Sequence, residues 1–327
     1  MYVTPIVWIV TCAVILGLFV FDFYAHVRTP HEPTLSESAS WSAVYIGIAI
    51  AFGLVVIWAW GGTYGGEYYA GYITEKALSV DNLFVFVIIM STFAIPRRYQ
   101  QKVLLIGIVM ALVMRGAFIA VGAAAINAYS WVFYLFGIFL VYTAYRLIKE
   151  AGHEEEREVA RENKIINRAK RFLPTTEQFD GDKLITKIDG KRLVTPLMLA
   201  LVAIGFADIL FALDSIPAIY GLTEEPYIVF TANAFALMGL RQLFFLIGGL
   251  LERLVYLSYG LSIILAFIGV KLVLHALHEN TLPFINGGEH VDVPEISTGL
   301  SLLVILAVLV VTTVASLLKT RNAAAKS

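Results

Sequence analysis

From its first residue the chain alternates long apolar runs with short polar breaks. A helix needs about 20 predominantly apolar residues to cross the hydrocarbon core of a bilayer. Nine stretches come close to or exceed that length, at 5–21, 41–60, 68–94, 103–125, 131–148, 195–220, 228–251, 255–277 and 298–318. The first has no basic residues ahead of it and is followed by eight more, so it reads as a membrane helix rather than a cleaved signal. One long polar segment, 149–193, interrupts the series. Its first half, GHEEEREVARENKIINRAKR, mixes both charges at helical spacing and predicts a solvated helix. Further on, Asp189-Gly190 separates LITKI from KRLVT, the pattern of a small hairpin closed by a two-residue turn.

Composition sharpens this picture. Hydrophobic residues make up 59% of the 327 residues and charged residues 15%, with a mean hydropathy of +0.78. A soluble domain is about 25% charged, so a water-soluble globule is excluded. A net charge of −1 argues against a nucleic-acid binder. The one cysteine, Cys12, can form no intramolecular disulfide and supports neither a zinc finger nor an iron–sulfur centre. The sequence carries no Walker loop, Ser-His-Asp arrangement or HExxH motif, so the chain is expected not to be an enzyme, and no tightly bound cofactor is expected.

The position of the charges says more than their sum. Of 24 Lys and Arg, 20 fall in alternate loops: Arg28, then Arg97 to Lys102, then Arg146 to Arg192, then Arg253, then the tail from Lys319. The opposite loops hold none. Basic residues in short loops stay cytoplasmic, which predicts an external N-terminus and a cytoplasmic C-terminus in a bacterial inner membrane. The other four bases, Lys76, Arg115, Arg241 and Lys271, fall inside predicted spans, as do the acids Glu75, Asp81, Asp208 and Asp214. Lys271 lies near the outer end of its helix, where its stem could carry the charge out to the interface.

These residues recur at fixed spacing. Glu75 precedes Asp81 by six and Asp208 precedes Asp214 by six; Asn82 and Ser215 follow directly. Arg115 and Gly122 match Arg241 and Gly248, and Tyr134 and Arg146 match Tyr259 and Lys271, with offsets of 133, 126 and 125. The third to fifth helices therefore repeat as the sixth to eighth. Because a three-helix unit is odd, the second copy is inverted, as in many secondary transporters. The expected class is an all-α polytopic bundle of about nine transmembrane helices. It divides into an N-terminal pair (1–67), a first repeat (68–148), a cytoplasmic charged segment (149–193), a second repeat (194–277) and a final helix with its flanks (278–327).

On a regular helix Glu75, Ser79 and Asn82 share a face, as do Asp208 and Ser215, whereas Asp81 and Asp214 sit about 100° away. Local unwinding would turn those two inward. Pro217 offers a cause in the second copy, because it cannot donate to the Leu213 carbonyl. Four carboxylates, an amide and hydroxyls form an all-oxygen set suited to Mg2+, Ca2+ or Mn2+. Lys76, Arg115 and Arg241 would balance that set while no ion is bound. Two other readings of the same residues stand beside this one: static ion pairs fastening the bundle, or a proton relay without metal. A further group on the outer side, His275, His278, Glu279, Glu289, His290 and Asp292, reads as a solvated loop or as a sampler of external cations and pH.

At EKALSVDNLFVF and ADILFALDSIPAI the chain resembles the TerC family of bacterial membrane proteins, in its Alx-like branch. The likeness extends through RRYQQKVLLIGIVMALVMRGAFI, FTANAFALMGLRQLFFLIGGLL, GLSIILAFIGVKLV and LPFINGG, across roughly 40–320. The resemblance implies export of a divalent cation, Mn2+ foremost, with ties in some members to tellurite resistance or alkaline pH. It implies an ion site at Glu75, Asp81, Asn82, Asp208, Asp214 and Ser215, with Asp81 and Asp214 central. Lys76, Arg115, Arg241 and Lys271 would then be counter-charges. One position departs from the family pattern: Gly205 stands where an additional acid is usual. The partners expected are the lipid bilayer and the ion, with a protein partner at 149–193 in the alternative where the chain is a non-transporting membrane factor; no nucleic acid is expected.

Overall fold

A computed structural model describes residues 1–27, 33–150, 174–176, 178–188, 190–247 and 254–324. Its elements are α1 (Pro5–Asp22, continued by a π-helical turn, Phe23–Val27), α2 (Leu35–Trp60), α3 (Gly62–Thr92), α4 (Arg97–Ala128) and α5 (Val132–Glu150). A hairpin of β1 (Ile185–Ile188) and β2 (Lys191–Val194) leads into α6 (Pro196–Tyr220), α7 (Pro226–Leu237), α8 (Leu240–Ile247), α9 (Leu257–His278) and α10 (Thr298–Ala324). The all-α polytopic bundle anticipated from the apolar runs is therefore observed. The hairpin forms as expected, antiparallel with Ile188 opposite Lys191 and with Gly190 at φ +77°. The solvated helix expected over the first half of 149–193 lies almost wholly outside the described residues.

Local sequence sets most of the boundaries. Thr4 and Thr34 cap α1 and α2 by accepting the amides of Val7 and Glu37 on their hydroxyls. Pro196 and Pro226 occupy the first turns of α6 and α7, where a missing N–H costs nothing. Among the described residues eight helical stretches are long and apolar enough to cross a bilayer. The helix left out is α3, whose 31 residues include Glu67, Glu75, Lys76 and Asp81. At about 1.5 Å per residue it is still longer than a 30 Å hydrocarbon core.

Two expectations about helix continuity are corrected. The span predicted over 228–251 is two helices, because the chain leaves helical geometry at Met238 (φ −61°, ψ 137°) and Gly239 (φ +75°). Conversely, α6 runs unbroken through Asp214 and Pro217 to Tyr220, so no unwinding turns Asp214 inward. The missing proline N–H leaves one carbonyl without its usual partner, and that alone does not open the helix.

Packing places the repeat-related helices across from one another. The first helix of each three-helix unit lies along the second helix of the other, α3 along α7 and α6 along α4, and the two third helices, α5 and α9, lie side by side. That exchange is what a two-fold relation between the units produces. The flanking helices α1, α2 and α10 turn large apolar side chains such as Val14, Leu54 and Val310 outward, a surface that only lipid can solvate. Two buried apolar clusters fill the interior. Along α4 the first takes Leu104 to Ala111 and the second Ile119 to Ile126; along α6 the first takes Leu197 to Ala207 and the second Ala212 to Tyr220. Arg115 and Asp208 fall in the gaps, so a polar layer separates the clusters.

The closest helix crossing is that of α5 on α9. A methyl group at Gly137 would lie 2.7 Å from the Gly269 carbonyl oxygen and 3.0 Å from the Val273 nitrogen, both rigid backbone. Small residues permit such approach in membranes. Gly137→Val should destabilise the protein by about 1–3 kcal/mol, read as a fall in thermal unfolding temperature in detergent micelles. Gly17→Ala, where a methyl meets nothing within 4 Å, should leave it unchanged.

Candidate ion site between the repeats

The centre of the polar layer is one guanidinium. Arg115 on α4 has no exposed surface, nor has Glu75 on α3, and Asp208 on α6 retains 2%. Arg115 donates from Nη2 to Asp208 Oδ1 at 2.9 Å and from Nε to the same oxygen at 3.2 Å, while Nη1 donates to Glu75 Oε1. Nη1 also lies 3.4 Å from Ser215 Oγ, and Ser79 Oγ donates to Glu75 Oε1 at 3.2 Å. The two carboxylates occupy equivalent places in the two repeats, so a single cation from one repeat bridges a symmetric pair and leaves the trio one negative charge in excess. Glu75 Oε2 is buried with no hydrogen-bond partner among the described residues, which leaves one anionic oxygen of the pair unused.

The remaining expected site residues are placed as follows. Asn82 and Ser215 are buried, on the same helix faces as Glu75 and Asp208. Asp214 is half-buried and does engage a partner. The Asp81 backbone continues α3, and its side chain lies outside the described residues. Among the described residues no three of His, Cys, Asp and Glu stand close enough to hold a metal ion as they are. Arg115 occupies the space between the acids it joins. Gly205 faces α4: a methyl there would come within 2.5 Å of the flexible end of Met110.

The other three counter-charges do not reach these carboxylates. Lys76 turns to α7, where Nζ donates to the carbonyls of Ala236 (2.9 Å) and Met238 (3.2 Å). Arg241, the repeat partner of Arg115, pairs with Asp22 at 2.8 Å and donates to Gln101 Oε1 at 2.8 Å; Tyr45 and Gln242 also donate to Asp22 Oδ1. Lys271 lines a cavity of about 250 Å³ at the α6–α7 loop, with Glu67, Thr223, Glu224 and His275. There Thr223 donates to Glu67 at 2.6 Å and His275 lies 2.9 Å from Glu224. The imidazole of His275 at that distance holds the Glu224 carboxyl below the usual carboxylate range, against partial burial, which acts the other way.

Two residues of consequence escape the sequence reading. Asp22 ends α1 one position beyond the span assigned to it, so it was not counted among the embedded acids, and Arg241 lacked its true partner. Asn233 on α7 is fully buried, and neither its amide oxygen nor its nitrogen is paired among the described residues. An amide inside the apolar run FTANAFAL was the available signal.

Helices with lipid-facing apolar surfaces, arranged around buried ionised residues, define a multi-pass integral membrane protein. The sequence comparisons narrow that class. The family model described as integral membrane protein TerC family matches residues 60–324, and the chain belongs to that family. It is 52% identical over 320 residues to the membrane protein Rv2723 of Mycobacterium tuberculosis (strain ATCC 25618 / H37Rv), covering 98% of this chain and 81% of that one. It is 41% identical over 243 residues to the thylakoid membrane protein TERC, chloroplastic, of Arabidopsis thaliana, covering 74% and 62%. Alx of Escherichia coli (strain K12), whose assigned role as a membrane-bound redox modulator is itself provisional, is 34% identical over 280 residues, covering 83% and 86%. This places the chain beside the Alx-like branch. No solved structure matches the chain.

Removing one member of a buried charge pair costs about 3–5 kcal/mol because its partner stays charged and dry. Arg115→Met, which strands two carboxylates together, should therefore lower the unfolding temperature more than Asp208→Asn does. Adding Glu75→Gln and Asp208→Asn to Arg115→Met should recover most of the loss, in the same micellar unfolding assay.

Proposed function

We propose that the chain exports a divalent cation, Mn2+ foremost, by alternating access between its two repeats, and that it is a carrier rather than an enzyme. In this reading the N-terminus is external and the C-terminus cytoplasmic in a bacterial inner membrane, as the distribution of basic loops favours. The observation that carries the reading is the shared guanidinium. Two carboxylates at equivalent positions of opposed helices are bridged by an internal cation that one of the repeats supplies.

The chemistry follows from that arrangement. Carboxylates, an amide and hydroxyls are hard oxygen donors suited to Mn2+ over softer metals. An incoming cation must take both acids from Arg115, so loading the site breaks the ionic tie between α3, α4 and α6. Loss of that tie frees one repeat to rock against the other, and release of the ion restores it. Ser79, Asn82, Ser215 and the unused Glu75 oxygen lie on the faces that would complete the shell, with Asp81 and Asp214 six residues along each helix. Outward movement of a doubly charged ion opposes an inside-negative potential by about 4.6 kcal/mol per 100 mV. Return of protons on the same carboxylates would drive it. With one cysteine, Cys12, exposed on α1, the chain has no thiol pair of its own for redox exchange.

Reconstituted into liposomes with an imposed pH gradient, the parent protein should move Mn2+, and Glu75→Gln and Asp208→Asn should each reduce the rate at least about tenfold, the effect of losing roughly 1.4 kcal/mol of binding. Asp81→Asn and Asp214→Asn are expected to do the same. Parent-like rates in all four variants would overturn the site. A current that follows pH without any divalent cation would instead identify a proton relay.

A further inference from the structure

We infer that the break between α7 and α8 is a second cation site, for a small monovalent cation, and that the ammonium of Lys76 is its resident occupant. A helix leaves its last carbonyls without intrahelical partners. In a water-exposed helix the solvent satisfies them; here residues 231–240 are all buried, so it cannot. The break is also built into the sequence. Gly239 takes φ +75°, which disfavours any side chain, and a methyl there would stand 3.0 Å from Tyr45 Cβ. The chain therefore holds a negative helix end inside the protein, where it has to be met by positive charge.

Lys76 meets it. Its Nζ contacts two main-chain oxygens from different residues, Ala236 and Met238, at 2.9 and 3.2 Å. That is how a cup of carbonyls holds a dehydrated point cation. Asn233, one turn earlier on the same face as Ala236, adds a fully buried amide with its oxygen unused. On the other side of the break, Asp22 of α1 takes hydrogen bonds from the side chains of Arg241 and Gln242 in the first turn of α8. The carbonyl end of α7 is thus met by a side chain from another helix, and discontinuous membrane helices of this kind use such carbonyl ends to bind Na+. The tethered ammonium fills the position that a free coupling cation would occupy. Na+ is therefore excluded from this break in the parent protein, and Lys76→Met opens it while keeping the apolar stem in place.

The site can be tested on the purified full chain without any transport assay. Radiolabelled Na+ binding and thermal unfolding would be measured in sodium chloride and in choline chloride of equal ionic strength. The parent and Lys76→Arg should bind no Na+ and unfold at the same temperature in both salts. Lys76→Met should bind Na+ saturably, unfold earlier in choline, and regain stability with Na+ or methylammonium; recovery of folded Lys76→Met only in those two media would support the same conclusion. Na+ binding by Lys76→Met no greater than the parent's would overturn the proposal. So would a variant that folds in no medium while Lys76→Arg folds, because a free cation then cannot replace the tethered one.

Discussion

A guanidinium sealed away from water between two carboxylates is the interaction on which the rest of this structure depends. Arg115 is fully buried, and each charge in the trio would be costly alone. The trio therefore has to be assembled from three helices at once, and those helices belong to both repeats. Glu75 is carried by α3, Arg115 by α4 and Asp208 by α6, so the polar layer joins the two halves of the bundle where the two apolar clusters part. A joint made of charge has a property that one made of methyl groups lacks: another cation can undo it.

The same constraint, that polar groups in the membrane must be satisfied from within the protein, accounts for the asymmetry between the repeats. α4 is continuous and sends its arginine to the central acids. Its counterpart is split into α7 and α8, and the equivalent arginine, Arg241, is drawn instead to Asp22. Once the helix is split, its exposed carbonyl end needs positive charge, and Lys76 supplies it, while Asp22 holds the side chains of Arg241 and Gln242 on the other side of the break. The second repeat therefore keeps the residue types and spacing of the first but gives its arginine a different ionic partner.

Much of the fold was legible because it rests on periodic apolar length, which a chain cannot hide. The hairpin, the helix ends at Pro196 and Pro226, and the faces shared by Glu75, Ser79 and Asn82 all follow from local rules. What could not be read was partner choice. Four bases and four acids in the spans suggest one balanced set, yet among the described residues only Arg115 serves the Glu75–Asp208 pair: Asp22 takes Arg241, the broken helix takes Lys76, and Lys271 lines the cavity at the α6–α7 loop. The break itself misled for a physical reason. Proline at 217 looked like the helix breaker, but a helix already packed on both sides tolerates one missing donor. The glycine at 239 carries no such flag in an apolar run, and it takes a positive φ where a methyl would stand 3.0 Å from Tyr45 Cβ.

The central claim is that a divalent cation and the Arg115 guanidinium compete for the same two carboxylates. Anomalous diffraction at the manganese edge, from crystals of the full chain grown in saturating Mn2+, tests it most directly. The account predicts a metal peak between Glu75 and Asp208, with the guanidinium withdrawn from both. A metal peak elsewhere with Arg115 still bound to both acids, or no peak at all, would contradict it.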